Sequence, residues 1–196
     1  MSNSDQSMQS VSNTAFIFPG QGSQKVGMGR DLLDFPVSAN VFKRVDDALG
    51  RKLSDIIFNG PDDELMLTRN AQPAIMTVSI ACYEALKEKS GDLFPVPQYV
   101  AGHSLGEYTS LYVSGALDLE ETAKLVSLRG ELMQDACDQN PGTMAALIGL
   151  DEKAVYEISR QTGTYVSNIN TDLQTVISGD KAAIISAIDL ATSRGA

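Results

Sequence analysis

The sequence predicts an α/β fold, and three observations carry that expectation. Residues 14–18 (TAFIF) form a short apolar run stopped by Pro19-Gly20, the pattern of a buried strand entering a loop. Residues 99–101 read as a second strand that ends at Gly102 and turns at once into a helix over 104–114. Strand, sharp turn and helix in succession are the α/β signature. After Asn140-Pro141-Gly142 the elements follow the order β-α-β-β-α, a ferredoxin-like unit short of its last strand.

The remaining elements follow in chain order. The loop over residues 20–29 holds four glycines. Residues 37–49 and 53–58 combine helical spacing with charge and are expected as surface helices. Gln72-Pro73 opens a helix over 74–89, because proline in a first turn lacks only an N–H that would have no partner. A helix over 120–137 begins with Glu120-Glu121, as the helix dipole favours. Strands are expected over 143–150, 164–169 and 175–178. Helices are expected over 151–161, capped by Asp151, and over 181–193. The chain then divides into a disordered tail (1–13), a first domain (14–138) and a small subdomain (139–196).

Composition excludes several function classes. Hydrophobic residues are 43% and charged residues 20% of the 196, near the globular average. A formal net charge of −10 argues against a nucleic-acid partner, since phosphate binding needs clustered Lys and Arg. No segment reaches transmembrane length, so neither a membrane nor a nucleic acid is an expected partner. Residues 1–13 lack both the apolar run of a signal peptide and the arginines of a transit peptide, and a cytoplasmic location is the expectation. Cys82 and Cys137 have no CxxC neighbour and are expected as small core residues, with no metal site.

The chemistry concentrates in Gly102-His103-Ser104-Leu105-Gly106, a G-x-S-x-G pattern. Between a strand and a helix this pattern strains the serine and exposes its hydroxyl. The N–H of Leu105 can then donate to a developing oxyanion. The alternative is a tight turn with a capping serine. A serine needs a base to become nucleophilic. The one histidine, His103, is adjacent to Ser104, and adjacent side chains diverge, so it reads as a structural or pocket-wall residue. The helix over 120–137 sets Leu125, Leu128, Leu132, Met133 and Ala136 on one face at about 100° per residue, with Arg129 inside that stripe. A buried guanidinium needs an anionic partner. Position alone leaves a bound carboxylate and a structural ion pair equally open.

Six blocks in order carry a family resemblance: FPGQGSQ (18–24), GMG (27–29), QPA (72–74), GHSLGE (102–107), LRG with MQ (128–134), and GTMAA (142–146). Together they resemble the N-terminal portion of the malonyl-CoA:acyl-carrier-protein transacylases of fatty-acid synthesis and their polyketide-synthase relatives. The resemblance implies an α/β-hydrolase-like core with an inserted ferredoxin-like subdomain, apparently truncated. It implies transfer of malonyl from malonyl-CoA to the phosphopantetheine thiol of acyl carrier protein through Ser104. It further implies an oxyanion hole from the N–H groups of Leu105 and Gln21, a carboxylate clamp at Arg129, and pocket residues Gln72 and His103. Asn168 and Asn170 match family asparagines but serve equally as loop caps. Leu105 fits a family tendency toward malonyl over larger acyl groups. No cofactor is implied, CoA being a substrate carrier. The family's catalytic histidine is expected beyond residue 196, so residues 1–196 alone are expected to have little activity.

Other readings compete. A serine esterase or thioesterase shares the elbow but leaves GQGSQ and the arginine unexplained. A patatin-like lipase needs an Asp-Gly dipeptide, which the chain lacks. A non-enzymatic carrier-docking fragment would need a basic patch, for which Lys43-Arg44 and Arg51-Lys52 are the only doublets.

Overall fold

The computed structural model describes residues 12–196; residues 1–11, most of the expected tail, lie outside that range. Ser12 and Asn13, the end of that tail, belong to the first strand. The fold is mixed α/β and divides into two units, one running to Asp135 and the other Ala136–Ala196.

In the first unit, β1 (Ser12–Phe18) pairs in parallel with β2 (Pro97–Gly102), with Phe16 opposite Val100 and Phe18 opposite Gly102. Helices α1 (Pro36–Leu49), α2 (Leu53–Asn59), α3 (Asp62–Met66), α4 (Thr68–Ser90), α5 (Gly106–Val113) and α6 (Leu119–Gln139) complete it, α6 continuing past Asp135. The expected surface helices α1 and α2 are core elements instead. Val41, Phe42 and Val45 of α1 and Leu53 and Ile57 of α2 pack against Met76 and Ile80 of α4. Charge on one face of each helix concealed an apolar face on the other.

Three further expectations are corrected. The first strand is not buried: Phe18 is, but Ile17 is 79% exposed, because among the described residues β1 and β2 form a sheet of two strands. Cys82 and Cys137 are exposed. Helix α4 starts at Thr68, so Pro73 lies inside it. Proline there removes the N–H that would bond the carbonyl four residues back. That carbonyl, of Arg69, accepts from Arg51 Nη2 at 3.2 Å instead. An outside donor lets the helix run through its proline.

On α6 the buried face is Thr122, Ala123, Val126, Ser127 and Gly130. The expected apolar stripe points outward, with Leu128 and Leu132 52% and 60% exposed. The small face won because it permits a close crossing. A Cβ on Gly130 would stand 2.8 Å from the Thr68 carbonyl oxygen and 3.0 Å from Arg69 Cα.

The second unit contains β3 (Thr143–Ile148), α7 (Glu152–Thr162), β4 (Tyr165–Thr171), β5 (Gln174–Gly179) and α8 (Lys181–Ser193). Its antiparallel sheet has the order β3-β5-β4. Leu147 and Ile177 of the sheet pack against Val155 and Ile158 of α7 and Ile184, Ala187 and Ala191 of α8. Asp151 caps α7 by accepting from the Ala154 N–H at 2.8 Å. No helix among the described residues is long and apolar enough to cross a membrane.

Gly130→Ala is expected to destabilise the first unit by about 1–3 kcal/mol, the usual cost of forcing a methyl into a filled contact. Urea unfolding of the two proteins measures it.

Candidate active site

The turn between β2 and α5 is built by backbone contact. Ser104 has φ 54°, and it is the one described residue other than glycine with positive φ. Its neighbours in the motif must lack a side chain. A Cβ on Gly102 would lie 2.0 Å from the carbonyl carbon of Gly106, and one on Gly106 would lie 2.4 Å from the Phe18 carbonyl oxygen. The His103 N–H donates to Phe18 O at 3.1 Å, and the Gly106 N–H donates to His103 O at 2.9 Å. Leu105 is fully buried in the core below. Its side chain therefore anchors the turn and does not line a pocket, so any effect on acyl size acts through the turn. Ser104 itself is exposed.

The glycine-rich loop is locked to the same turn. A Cβ on Gly20 would meet His103 Nδ1 at 2.6 Å and His103 O at 2.8 Å. His103 is thus a wall against the loop, and no bond from its ring to Ser104 occurs among the described residues. Gln21 Nε2 donates to Thr68 Oγ1 at 3.2 Å, and Ser23 Oγ donates to Gly20 O at 3.0 Å. The N–H groups of Gln21 and Leu105 have no acceptor among the described residues. They remain available to an incoming oxygen.

Arg129 reaches this turn from α6. Its Nη2 donates to Ser104 Oγ at 3.0 Å and its Nη1 to Gln72 Oε1. Its Cζ lies 5.9 Å from the centroid of the Tyr108 ring, within cation–π range. Gln72 is fully buried, and its Nε2 donates to Met133 Sδ at 3.2 Å. The Thr68 N–H donates to Gln134 Oε1 at 3.0 Å. Arg129 is half-buried and forms no ion pair with a carboxylate of the described residues. Of the two partners left open by its position, the structural ion pair is absent. A guanidinium held by neutral acceptors keeps its capacity for an anion.

The structure thus brings Ser104, Leu105, Gln21, Gln72, His103 and Arg129 into the first unit around one turn. Asn168 and Asn170 lie on exposed β4 of the second unit, where Asn170 Nδ2 donates to Gln174 Oε1 at 3.1 Å. Thr68, Tyr108, Met133 and Gln134 were not singled out as site residues. Tyr108 and Met133 carried a signal, each standing one helical turn beyond Ser104 or Arg129. Thr68 carried none, because its helix was expected to begin six residues later. Among the described residues no cluster of His, Cys, Asp and Glu could hold a metal.

The acyl transferase domain family matches residues 15–196. The chain belongs to that family. A malonyl CoA-acyl carrier protein transacylase of Haemophilus influenzae is 45% identical over 187 residues, covering 93% of this chain and 59% of that protein. One of Bacillus subtilis is 42% identical over 192 residues, covering 95% and 59%. The crystal structure of acyl-carrier-protein-S-malonyltransferase from Bartonella henselae superposes with a TM-score of 0.86 at 46% identity, covering 94% of this chain and 60% of that one. The chain therefore spans about three-fifths of the length of the acyltransferases it matches.

A left-handed conformation costs a residue with a Cβ about 1 kcal/mol and glycine almost nothing. Ser104→Gly and Ser104→Ala both delete the hydroxyl. Ser104→Gly is expected to be the more stable by about that amount, read from the difference in urea midpoints.

Proposed function

We propose that the protein transfers a malonyl group from malonyl-CoA to the phosphopantetheine thiol of acyl carrier protein, through a malonyl ester on Ser104. The observation that carries this reading is the Arg129 guanidinium, 3.0 Å from the Ser104 hydroxyl and without a carboxylate partner. In a malonyl ester two C–C bonds of about 1.5 Å each separate the reacting carbonyl carbon from the free carboxylate carbon. A cation beside the serine oxygen is therefore within reach of that carboxylate, whereas an acetyl group offers it nothing.

The steps follow from the geometry. Ser104 Oγ attacks the thioester carbonyl and gives its proton to a base. The N–H groups of Leu105 and Gln21 take the negative charge that develops on the carbonyl oxygen, helped by the N-terminus of α5. The intermediate collapses, the C–S bond breaks, and the CoA thiolate leaves with the proton returned. The carrier's thiol then attacks the ester and the same steps run in reverse. His103 is ill-suited as the base, being packed on Gly20. In this reading the base comes from the part of the family's length that the chain does not span. CoA is a substrate carrier and no further cofactor is involved.

The proposal extends to the fold and the setting. The β1–β2 pair with its flanking helices is an α/β-hydrolase-like core over residues 14–138, and residues 139–196 are a ferredoxin-like subdomain. The enzyme serves fatty-acid synthesis in the cytoplasm, its partners being malonyl-CoA and acyl carrier protein. The order β3-β5-β4 with two helices on one face supports the subdomain assignment.

In the intact protein, Ser104→Ala is expected to abolish covalent labelling by radiolabelled malonyl-CoA, and retained label would refute the nucleophile. Arg129→Ala is expected to lower malonyl transfer roughly a hundredfold, the scale of a lost half-buried ion pair, and to spare acetyl transfer. Kinetics with the two thioesters measure the change in preference.

A further inference from the structure

The wall of the site that holds Arg129 is the first turn of α4. Four contacts reach that turn from the site side. Gln72 Oε1 accepts from Arg129, Thr68 Oγ1 accepts from Gln21, the Thr68 N–H donates to Gln134, and Gly130 packs on the Thr68 carbonyl. Pro73 weakens this segment, because it deletes the backbone bond to Arg69 O. A carbonyl left without its helical donor loosens the turn it belongs to.

Arg51 repairs the defect from the far side. It stands just after Gly50, whose φ of 63° closes the turn between α1 and α2. Its Nη2 donates to Arg69 O at 3.2 Å and its Nη1 to Asn70 Oδ1 at 2.7 Å. Asn70 is buried and donates through Nδ2 to Glu64 O at 2.8 Å. The guanidinium is half-buried. Burial lowers its pKa from the usual arginine value; nearby Arg69 pushes the same way, while Glu131 and Asp46 oppose. A desolvated charge spent on a backbone carbonyl and an amide is costly, and both of its bonds end on the turn that carries Gln72.

We propose that Arg51 is a positioning residue for malonyl recognition: by bonding the Arg69 carbonyl that Pro73 orphans, it fixes the turn from which Gln72 aims Arg129 at Ser104. This rests on the malonyl-transfer reading above. Arg51 touches neither substrate nor Ser104, and it acts through Gln72. Its loss frees Arg129 to wander and weakens the grip on a carboxylate. An acyl group without a carboxylate loses little.

The test is a set of variants of the intact protein assayed with malonyl and acetyl thioesters. Arg51→Met is expected to lower kcat/KM for malonyl roughly tenfold, the worth of one charge-assisted hydrogen bond, and for acetyl less than about twofold. Pro73→Ala gives the helix back its own donor to Arg69 O. In that background Arg51→Met is expected to cost malonyl transfer less than about threefold, a coupling read as a double-mutant cycle. Equal losses for both acyl groups, or the same tenfold loss with and without Pro73→Ala, would overturn the assignment. Arg129→Ala separates this outcome from failure of the parent reading. If that variant leaves the acyl preference unchanged, the carboxylate clamp itself is wrong and the role of Arg51 falls with it. Should Arg51→Met not fold, Arg51→Lys carries the same comparison, since one ammonium replaces a fork that serves two acceptors.

Discussion

The structure of the site depends on one backbone constraint, the left-handed conformation of Ser104 pressed against the end of β1. Gly106 lies so close to the Phe18 carbonyl, and Gly102 so close to Gly106, that no Cβ fits at either position. The strand cannot continue and the helix cannot begin earlier. The hydroxyl is therefore presented to solvent at the N-terminus of α5, with the Leu105 N–H beside it and the Leu105 side chain sunk in the core. Strain at a residue in this region is of the order of 1–3 kcal/mol. The buried leucine, the bonds from His103 and Gly106, and the loop at Gly20 hold it in place.

A second close approach brings the charge to the hydroxyl. Gly130 lets α6 cross α4 at Thr68 nearly backbone to backbone. Arg129, one residue earlier, is thereby carried to Ser104 and Gln72. Two glycine-dependent contacts thus fix the two ends of one interaction, the Ser104 hydroxyl on one side and the guanidinium on the other. Neither contact depends on the exposed leucines of α6.

That division explains what could be read from the sequence. The turn at Ser104 was legible because G-x-S-x-G between a strand and a helix states a steric demand, and glycine alone meets it. Asp151 was legible as a cap for a similar reason, a carboxylate followed three residues later by the N–H it accepts. Burial was not legible. Periodicity groups Leu125, Leu128 and Leu132 on one face of α6, but it cannot say whether anything covers that face. The same limit applies to Ile17 and to the two cysteines. The start of α4 was missed because the donor that excuses Pro73 comes from Arg51, 22 residues upstream, and no local pattern reports it.

Arg129 was singled out on a premise that fails. It was singled out as a cation buried among leucines, yet those leucines are exposed. Its distinction lies in reaching the Ser104 hydroxyl while bonding no acid. The chain has 25 acidic residues against 15 basic ones, and Arg44 shows what a guanidinium does when an acid is within reach. It forks onto Glu120 at 2.7 and 2.8 Å and holds that carboxyl below the usual carboxylate range. Arg129 has instead an amide oxygen, a hydroxyl and the face of a tyrosine. A carboxylate of the protein there would satisfy the guanidinium and, in the malonyl-transfer reading, compete with that of the substrate. Neutral acceptors orient the fork without satisfying its charge. Arg51 is likewise half-buried and without an acid, so it is the Ser104 hydroxyl among its partners that sets Arg129 apart.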